Sequence, residues 1–430
     1  MALNYNLKYK KQNAFSKVLL EKEGEIVIDR QSFRLKGKGA QDQGEMIFFA
    51  EIKEFWVADE GLQFLTFSRE KYTLNGFQNL FDSFLKDFFR VKNEFLADSL
   101  FMKVGMLMCE YDGFIESTFS SGKALTQGKS RIQFYEGSIL ILPEKNDCMV
   151  FYFNFLKSHE FDEDEYVLKL TDDKGTTVTI SKLGTAFMDV QSTLENLLGK
   201  MYEKVVHHLQ EILPDFDAVT LLKLAFLMRD CKCVPLTALK KIHENLPNKI
   251  EALAFQQSKD LLLEKVKFLR TQSEDRFFNF GFSISSRMDS RDLQIKSWFL
   301  ITLPRSNIAA FAMSSQPNDN AVYFFSLGHN DVDIEEKNSA QMHDLNQVMF
   351  LFRSDTGPIY KDKLELKRTK YRTALRKLSS LRLLRKLYLG KSYASDIATF
   401  QRDVEKFGKA AMNVNVLESR EERMQKAAAI

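Results

Sequence analysis

Residues 61–95 read GLQFLTFSREKYTLNGFQNLFDSFLKDFFRVKNEF, and the hydrophobic period changes once along them, at Gly76. Before Gly76, Leu62, Phe64 and Phe67 stand among polar neighbours, and Tyr72 alternates with Leu74. That period near two, with a turn at Ser68, Arg69 and Glu70, predicts a hairpin. After it, Phe77, Phe81, Phe84, Phe88, Val91 and Phe95 are spaced 4, 3, 4, 3, 4, which is one helical stripe. The chain makes this unit a second time. Residues 166–170 and 176–180 form a hairpin around Asp172, Asp173, Lys174 and Gly175, and Phe187, Val190, Leu194, Leu197, Met201 and Val205 follow as a second stripe.

Working outward, residues 1–13 are polar and read as an arm. Short strands follow at SKVLL (16–20), EIVID (25–29) and SFRLKG (32–37), with Glu23 and Gly24 as the first turn and Gln31 near the second. A loop over residues 37–44 carries three glycines, and MIFFAEIKEFWV (46–57) leads into the first hairpin. From Gly105 the same order returns: GFIESTF, a glycine-bearing loop, RIQFYEG, SILILPE, MVFYFNF, YVLKLTD, TTVTISK, helix. Seven strands with a C-terminal capping helix resemble the pleckstrin-homology-like superfold, with its GRAM and phosphotyrosine-binding relatives. The resemblance covers about residues 15–100 and 110–212 and rests on element order. The helix tryptophan usual in eukaryotic pleckstrin-homology domains has no counterpart, because Trp56 and Trp298 lie outside both helices.

The resemblance implies tandem modules over 14–100 and 105–213, each expected to fold alone. It also implies a ligand site in the second module at Lys123, Lys129 and Arg131. These stand between its first two strands as Lys-x5-Lys-x-Arg, similar to the basic pattern by which some such domains hold an inositol phosphate or phosphoinositide headgroup. Against that stands the local charge: residues 110–212 hold 17 acids and 10 Lys/Arg, a field that repels an anionic membrane. Other domains of this kind engage proteins through sheet edges or the helix groove.

The rest of the chain predicts an α+β protein. Asp217 is placed to N-cap AVTLLKLAFLMRD, and further helical segments make 215–272 a helical connector. FFNFGFSI, LQIKSWFLITL, NIAAFAM and AVYFFSL, separated by polar breaks, predict a four-stranded antiparallel sheet within 277–360. A helix near 342–351 and a basic helical tail over 361–415 would cover one face of it.

Composition is that of ordinary globular protein, at 44% hydrophobic and 28% charged, apart from 38 Phe against 2 Trp. Four cysteines in 430 residues do not make a disulfide scaffold, the N-terminus lacks a signal-like apolar core, and no run approaches a membrane span. These features point to a cytoplasmic protein. Cys231 and Cys233 form one Cys-x-Cys with His243 beyond and His207 and His208 upstream, which falls short of the two pairs of a structural zinc site. No nucleophile elbow or phosphate loop is present, and Asp162, Glu163, Asp164 and Glu165 read as a solvated turn. No catalytic residue, metal site or cofactor is assigned.

Charge is most uneven over residues 361–391, with 12 Lys/Arg and 2 acids, a net of +10 in a chain whose total is +3. On a helical projection Arg368, Arg372 and Arg376 align, and after Ser379 and Ser380 the cations Arg382, Arg385 and Lys386 face away from Leu381, Leu384 and Tyr388. A basic amphipathic helix with a bend near the serines fits nucleic acid, an anionic membrane or an acidic partner, or complements the chain's own acidic modules. The reading that follows is a non-catalytic interaction or scaffold protein whose partner is protein. Its alternative is a binder of an anionic ligand, either nucleic acid through 361–391 or inositol phosphate through the second module. A third is an enzyme with no readable motif in 277–360.

Overall fold

A computed structural model describes residues 3–39, 43–58, 61–118, 124–229, 232–256, 260–286, 293–314, 321–328, 333–366 and 369–412. The chain is a mixed α+β protein with two seven-stranded antiparallel sheets and a further six-stranded sheet, and it divides after Leu197 into two compact units.

The first sheet is built from β1 (Leu3–Gln12), β2 (Val18–Ile28), β3 (Ser32–Gly37), β4 (Glu45–Phe48), β5 (Ile52–Ala58), β6 (Gly61–Thr66) and β7 (Lys71–Asn75), followed by helix α1 (Phe81–Ser99). The strand order is β4-β3-β2-β1-β7-β6-β5. Residues from all seven strands and from α1 bury into a single cluster, so the sheet curls around one core. Phe88 is its hub: its ring lies 5.5 Å from Phe33, 5.6 Å from Phe49 and 5.5 Å from Phe55. The helical stripe read from the sequence is therefore the plug of this core, and phenylalanine fills it because edge-to-face rings pack densely without polar atoms to satisfy.

Two expectations are corrected here. Leu3–Gln12 is a strand and not part of an arm, since it pairs along its length with β2 and through Lys8–Gln12 with β7. Glu23 and Gly24 do not turn. They lie inside one long strand, and Gly24 is needed because a Cβ there would sit 1.7 Å from the Lys36 carbonyl oxygen. The glycine marks a close approach of two strands rather than a break.

The second sheet comprises β8 (Leu107–Thr118), β9 (Ala124–Tyr135), β10 (Ser138–Pro143), β11 (Met149–Tyr152), β12 (Leu156–Asp162), β13 (Val167–Asp172) and β14 (Thr177–Ser181), then α2 (Phe187–Ile212). Its order, β11-β10-β9-β8-β14-β13-β12, repeats the first position for position. The Phe187 ring at the start of α2 stacks edge-on against Phe161 and Tyr166. The second stripe does not serve one core throughout. Val205 and Leu209 belong to the core of the second unit.

Within the first unit, α1 also meets the second sheet. Ala97 packs with Tyr135, Leu140 and Leu142 in one buried cluster. Asn93 is buried beside it. Its Nδ2 donates to the carbonyls of Pro143 at 3.3 Å and Asn146 at 2.9 Å, and its Oδ1 accepts from the Cys148 amide at 3.1 Å. Lys92, fully buried, pairs with Asp147 and lies over the Phe55 and Phe89 rings at 4.3 and 4.8 Å.

In the second unit, α3 (Ala218–Met228) starts at Asp217, whose carboxylate accepts from the Val219 and Thr220 amides as a cap should. Then come β15 (Val234–Pro235), α4 (Leu236–Ile242), α5 (Leu246–Gln256), α6 (Asp260–Thr271), β16 (Phe278–Ser286), β17 (Leu293–Leu303), β18 (Ile308–Ser314), β19 (Val322–Ser326) and α7 (Ile334–Leu351). The described residues end with α8 (Gly357–Tyr360), α9 (Lys363–Leu366), α10 (Ala374–Lys377), α11 (Ser379–Leu387), β20 (Tyr388–Ser392) and α12 (Ile397–Ala411). The sheet has six strands rather than the expected four, because Val234–Pro235 and Tyr388–Ser392 add one at each edge.

It is also covered on both faces, not one. Phe278, Phe280, Phe299, Ile301 and Phe324 pack with residues of α3 to α6 and α12. On the opposite face Asn279 and Thr302 both donate to Asn338 of α7, at 3.1 and 2.8 Å, and Gln341 donates to the Ser326 carbonyl at 3.0 Å. A helix seated on a sheet by amides leaves no clear apolar stripe in its sequence, which is why α7 reads short. Among the described residues, no helix is long and apolar enough to cross a membrane.

Candidate functional site

Three places carry concentrated charge. The first is the pair Lys129 and Arg131, which lie inside β9 and not in the connection between strands. Lys129 is exposed and, among the described residues, makes no ion pair. Arg131 is committed: Nη2 donates to Glu94 of α1 at 2.6 Å, and Nε lies 3.6 Å from Glu110 of β8. An arginine held between two carboxylates serves to join α1 to the second sheet. Lys123 lies outside the described residues.

The second is the basic C-terminal stretch. It is not one bent helix: α8, α9, α10 and α11 are short, and the last residues form the edge strand β20. Its cations separate by role. Arg385 is half-buried and donates to the carbonyls of Pro358 at 2.5 Å, Ile359 at 3.3 Å and Lys361 at 2.8 Å. It thus satisfies the open end of α8, as a cation at a helix C-terminus does. Leu381, Leu384 and Leu387 are buried beneath it. Arg382 and Lys386, one turn apart on α11, are exposed and make no ion pair among the described residues. Arg372 is exposed, Arg376 is half-buried and both have interaction partners, while Arg368 lies outside the described residues.

The third was passed over in the sequence. The outer face of the first sheet holds a cleft of about 820 Å³ whose wall includes Asn6, Glu25, Arg34, Lys36, Lys38 and Met46. Arg34, Lys36 and Lys38 alternate along β3 and its continuation, so their side chains share the face away from the buried Phe33 and Leu35. Two carboxylates answer part of this charge. Lys36 Nζ lies 3.6 Å from Glu25, and Lys38 Nζ lies 2.9 Å from Glu23, which also meets Lys8 at 2.8 Å. Hydrogen bonds from Lys8 and Lys38 hold the Glu23 carboxyl down at about 2. Arg34 makes no ion pair among the described residues.

Two glycines set this wall. Besides Gly24, Gly44 has φ of +71°, and a Cβ on it would come within 2.7 Å of Lys36 Cγ and 3.0 Å of Arg34 Cγ. The signal in the sequence is RLKGKG, a basic residue at every second position where the strand SFRLKG runs into the glycine-bearing loop of residues 37–44.

Thiol and imidazole groups do not converge. Cys233 is buried, its amide donates to Asn346 Oδ1 at 2.8 Å, and burial pushes its thiol far up from the ordinary range. His243 accepts from the Asn245 amide at 3.2 Å and meets the Phe216 ring edge-on, and His207 Nε2 lies 3.3 Å from Glu211. Among the described residues no three such side chains are grouped to hold a metal. Cys231 lies outside the described residues. Comparison of the chain with protein-family models and with curated proteins gives no match.

Proposed function

We propose that this is a non-catalytic interaction protein, working in the cytoplasm, that carries two pleckstrin-homology-like modules in tandem. The observation that carries the reading is the strand order β4-β3-β2-β1-β7-β6-β5 with a helix after the seventh strand, made twice in succession. Modules at about 14–100 and 105–213, a connector at 215–272, a sheet domain at 277–360 and a tail at 361–415 are its parts, with the first strand of module one beginning at Leu3. A protein partner is favoured by the edge strand β5, which among the described residues pairs with β6 alone and on which Trp56 and Val57 are exposed.

The test is affinity purification from cell extract of the full chain beside a Trp56→Lys, Val57→Lys variant with an unchanged melting temperature. A reproducible set of proteins retained by the first and lost by the second supports the reading. Retention of the same set by both, or of none by either, overturns it. The second reading, nucleic acid bound through α11, is favoured by Arg382 and Lys386, which are exposed and make no ion pair among the described residues.

A further inference from the structure

We infer that the rings of Tyr360, Tyr388 and Tyr393, beside the edge strand β20, form a binding site for a methylated ammonium group, and that the chain's own Lys391 occupies it when no ligand is present. The inference does not depend on the interaction role above. The backbone makes the site. Lys391 stands opposite Tyr323 of β19, and Tyr388 stands opposite Phe325. Residues three apart on a regular strand face opposite ways, but the ladder slips between Phe324 and Phe325, and the extra residue on β20 brings Tyr388 and Lys391 to one face. Gly390 lies in that bulge at φ of +148°, where a Cβ would come within 2.8 Å of the Phe407 ring.

Chemistry decides what the site prefers. Lys391 Nζ lies 4.8 Å from the centre of the Tyr360 ring and 4.5 Å from that of Tyr393, and it donates to the Tyr393 hydroxyl. Tyr360 is itself held in place, stacked 5.1 Å from the buried Tyr323. Burial pushes the Tyr388 hydroxyl up to about 12, with Tyr393 and Tyr360 near enough to add to the effect, so that ring stays neutral. Among the described residues Lys391 makes no ion pair, and its charge rests on ring faces in place of a carboxylate. A primary ammonium carries three N–H donors, and the described residues give this one a single acceptor. A fully methylated ammonium has no N–H group to satisfy and keeps its whole charge for the rings, so the same faces suit it better than they suit lysine.

Access agrees with this. Tyr393 is 63% exposed, while Tyr360, Tyr388 and Lys391 are half-buried. Among the described residues β20 pairs with β19 alone, so its other flank is not covered by a strand. A lysine on a long flexible stem leaves such a place for water without a change in the backbone, and the rings remain behind it.

The experiment titrates the full chain with tetramethylammonium chloride, read by saturation-transfer NMR against sodium chloride of equal ionic strength. Tyr360→Leu and Tyr393→Leu should each weaken binding about tenfold, the loss of one ring from the cation's surroundings. Lys391→Ala should tighten it about threefold, because the internal competitor is gone. Phe226→Leu, at an exposed ring of α3 outside the site, should leave it unchanged. Choline and trimethyllysine amide, titrated beside the probe, separate the sources of the group. Tighter choline supports the site with a free small ligand, and tighter trimethyllysine amide supports it with a modified side chain. No transfer from the parent chain, binding that both leucine variants keep, or an affinity that Lys391→Ala lowers or leaves alone overturns the inference. Should Tyr360→Leu lose its circular dichroism signal, Tyr393→Leu, at an exposed ring beyond the end of β20, carries the comparison alone.

Discussion

Asn93 and Cys148 stand 55 residues apart in the chain, yet the Cys148 amide donates to the Asn93 side chain at 3.1 Å and its thiol lies 3.8 Å from the Asn93 carbonyl. The link joins a helix that closes the first sheet to a loop that belongs to the second. With Nδ2 on the Pro143 and Asn146 carbonyls, one buried amide completes three backbone groups, of which the Pro143 carbonyl is buried and the other two are part-buried. Asn93→Ala would orphan all three, at a cost of about 2–4 kcal/mol, since each unmade buried hydrogen bond costs about 1–3 kcal/mol. Urea unfolding of the full chain checks this through Trp56 fluorescence, with Trp298→Phe as the common background so that only the first unit reports.

The same interface changes what is expected of the modules when separated. A fragment of residues 1–103 would expose Ala97 and leave Lys92 and Asn93 without Asp147 and Cys148. A fragment of residues 104–214 would expose Tyr135, Leu140 and Leu142 and free Arg131 from Glu94. Each alone should show weakened, broad thermal transitions, and mixing the two should restore a cooperative one. Two sharp transitions from the separate fragments, unchanged on mixing, would restore the expectation of independent folding.

Much of this architecture was legible because period is a local signal. The stripe and the alternation of Tyr72 with Leu74 each speak for residues a few positions apart; the alternation held, and the stripe held from Phe81 to Phe95, while Phe77 enters the core from the 3-10 turn that precedes α1. Features that rest on distant partners did not show. Leu3–Gln12 looks polar because only Leu7 and Tyr9 are fully buried along it, yet it is the strand that joins the two halves of the sheet. Gly24 reads as a turn unless the Lys36 carbonyl opposite it is known. The cations of residues 361–391 are alike in sequence, while Arg385 turns inward and Arg382 outward for reasons set by α8.

Core substitutions should rank by position in the phenylalanine cluster. Phe84→Ala and Phe88→Ala remove fully buried rings and should cost about 3–5 kcal/mol each, and Leu194→Ala about 2–5 kcal/mol. Phe81→Ala, at a ring that only half enters the core, should cost clearly less. Chemical denaturation of the four variants checks the order, and equal losses at Phe81 and Phe88 would refute the plug arrangement.

Asp172 gives a pH dependence with a definite sign. Burial in the turn between β13 and β14 raises its carboxyl above the ordinary value, although the Lys174 and Thr176 amides donate to it. The folded state then holds its proton more tightly than the unfolded state does. Stability from this group is therefore fully present below the unfolded value near 3.8 and is lost as pH rises through the folded one. Asp172→Asn keeps an oxygen acceptor for both amides and carries no charge, so it should be at least as stable as the parent at neutral pH. That advantage should vanish below the carboxylate range. A variant less stable at neutral pH by thermal melting would show that the charge on Asp172 is favourable.

The two outward cations of α11 and the inward one make opposite predictions. Arg385 donates to three carbonyls at the end of α8, so Arg385→Ala should lower the melting temperature, with a loss of about 2–4 kcal/mol from the charge-assisted bonds it makes. Arg382→Ala and Lys386→Ala touch no partner among the described residues and should leave the melting temperature within error. Nucleic acid held by α11 would behave in the reverse way. Each phosphate neutralised releases counterions, so removing Arg382 and Lys386 together should reduce the slope of log affinity against log salt by about 2 on duplex DNA. Arg385→Ala, already spent on α8, should leave that slope alone in protein that remains folded. A salt titration of duplex affinity across the parent, the double variant and Arg385→Ala decides the matter. A slope indifferent to Arg382 and Lys386 would remove α11 from any polyanion contact, and one sensitive to Arg385 alone would mean that its bonds to α8 open on binding.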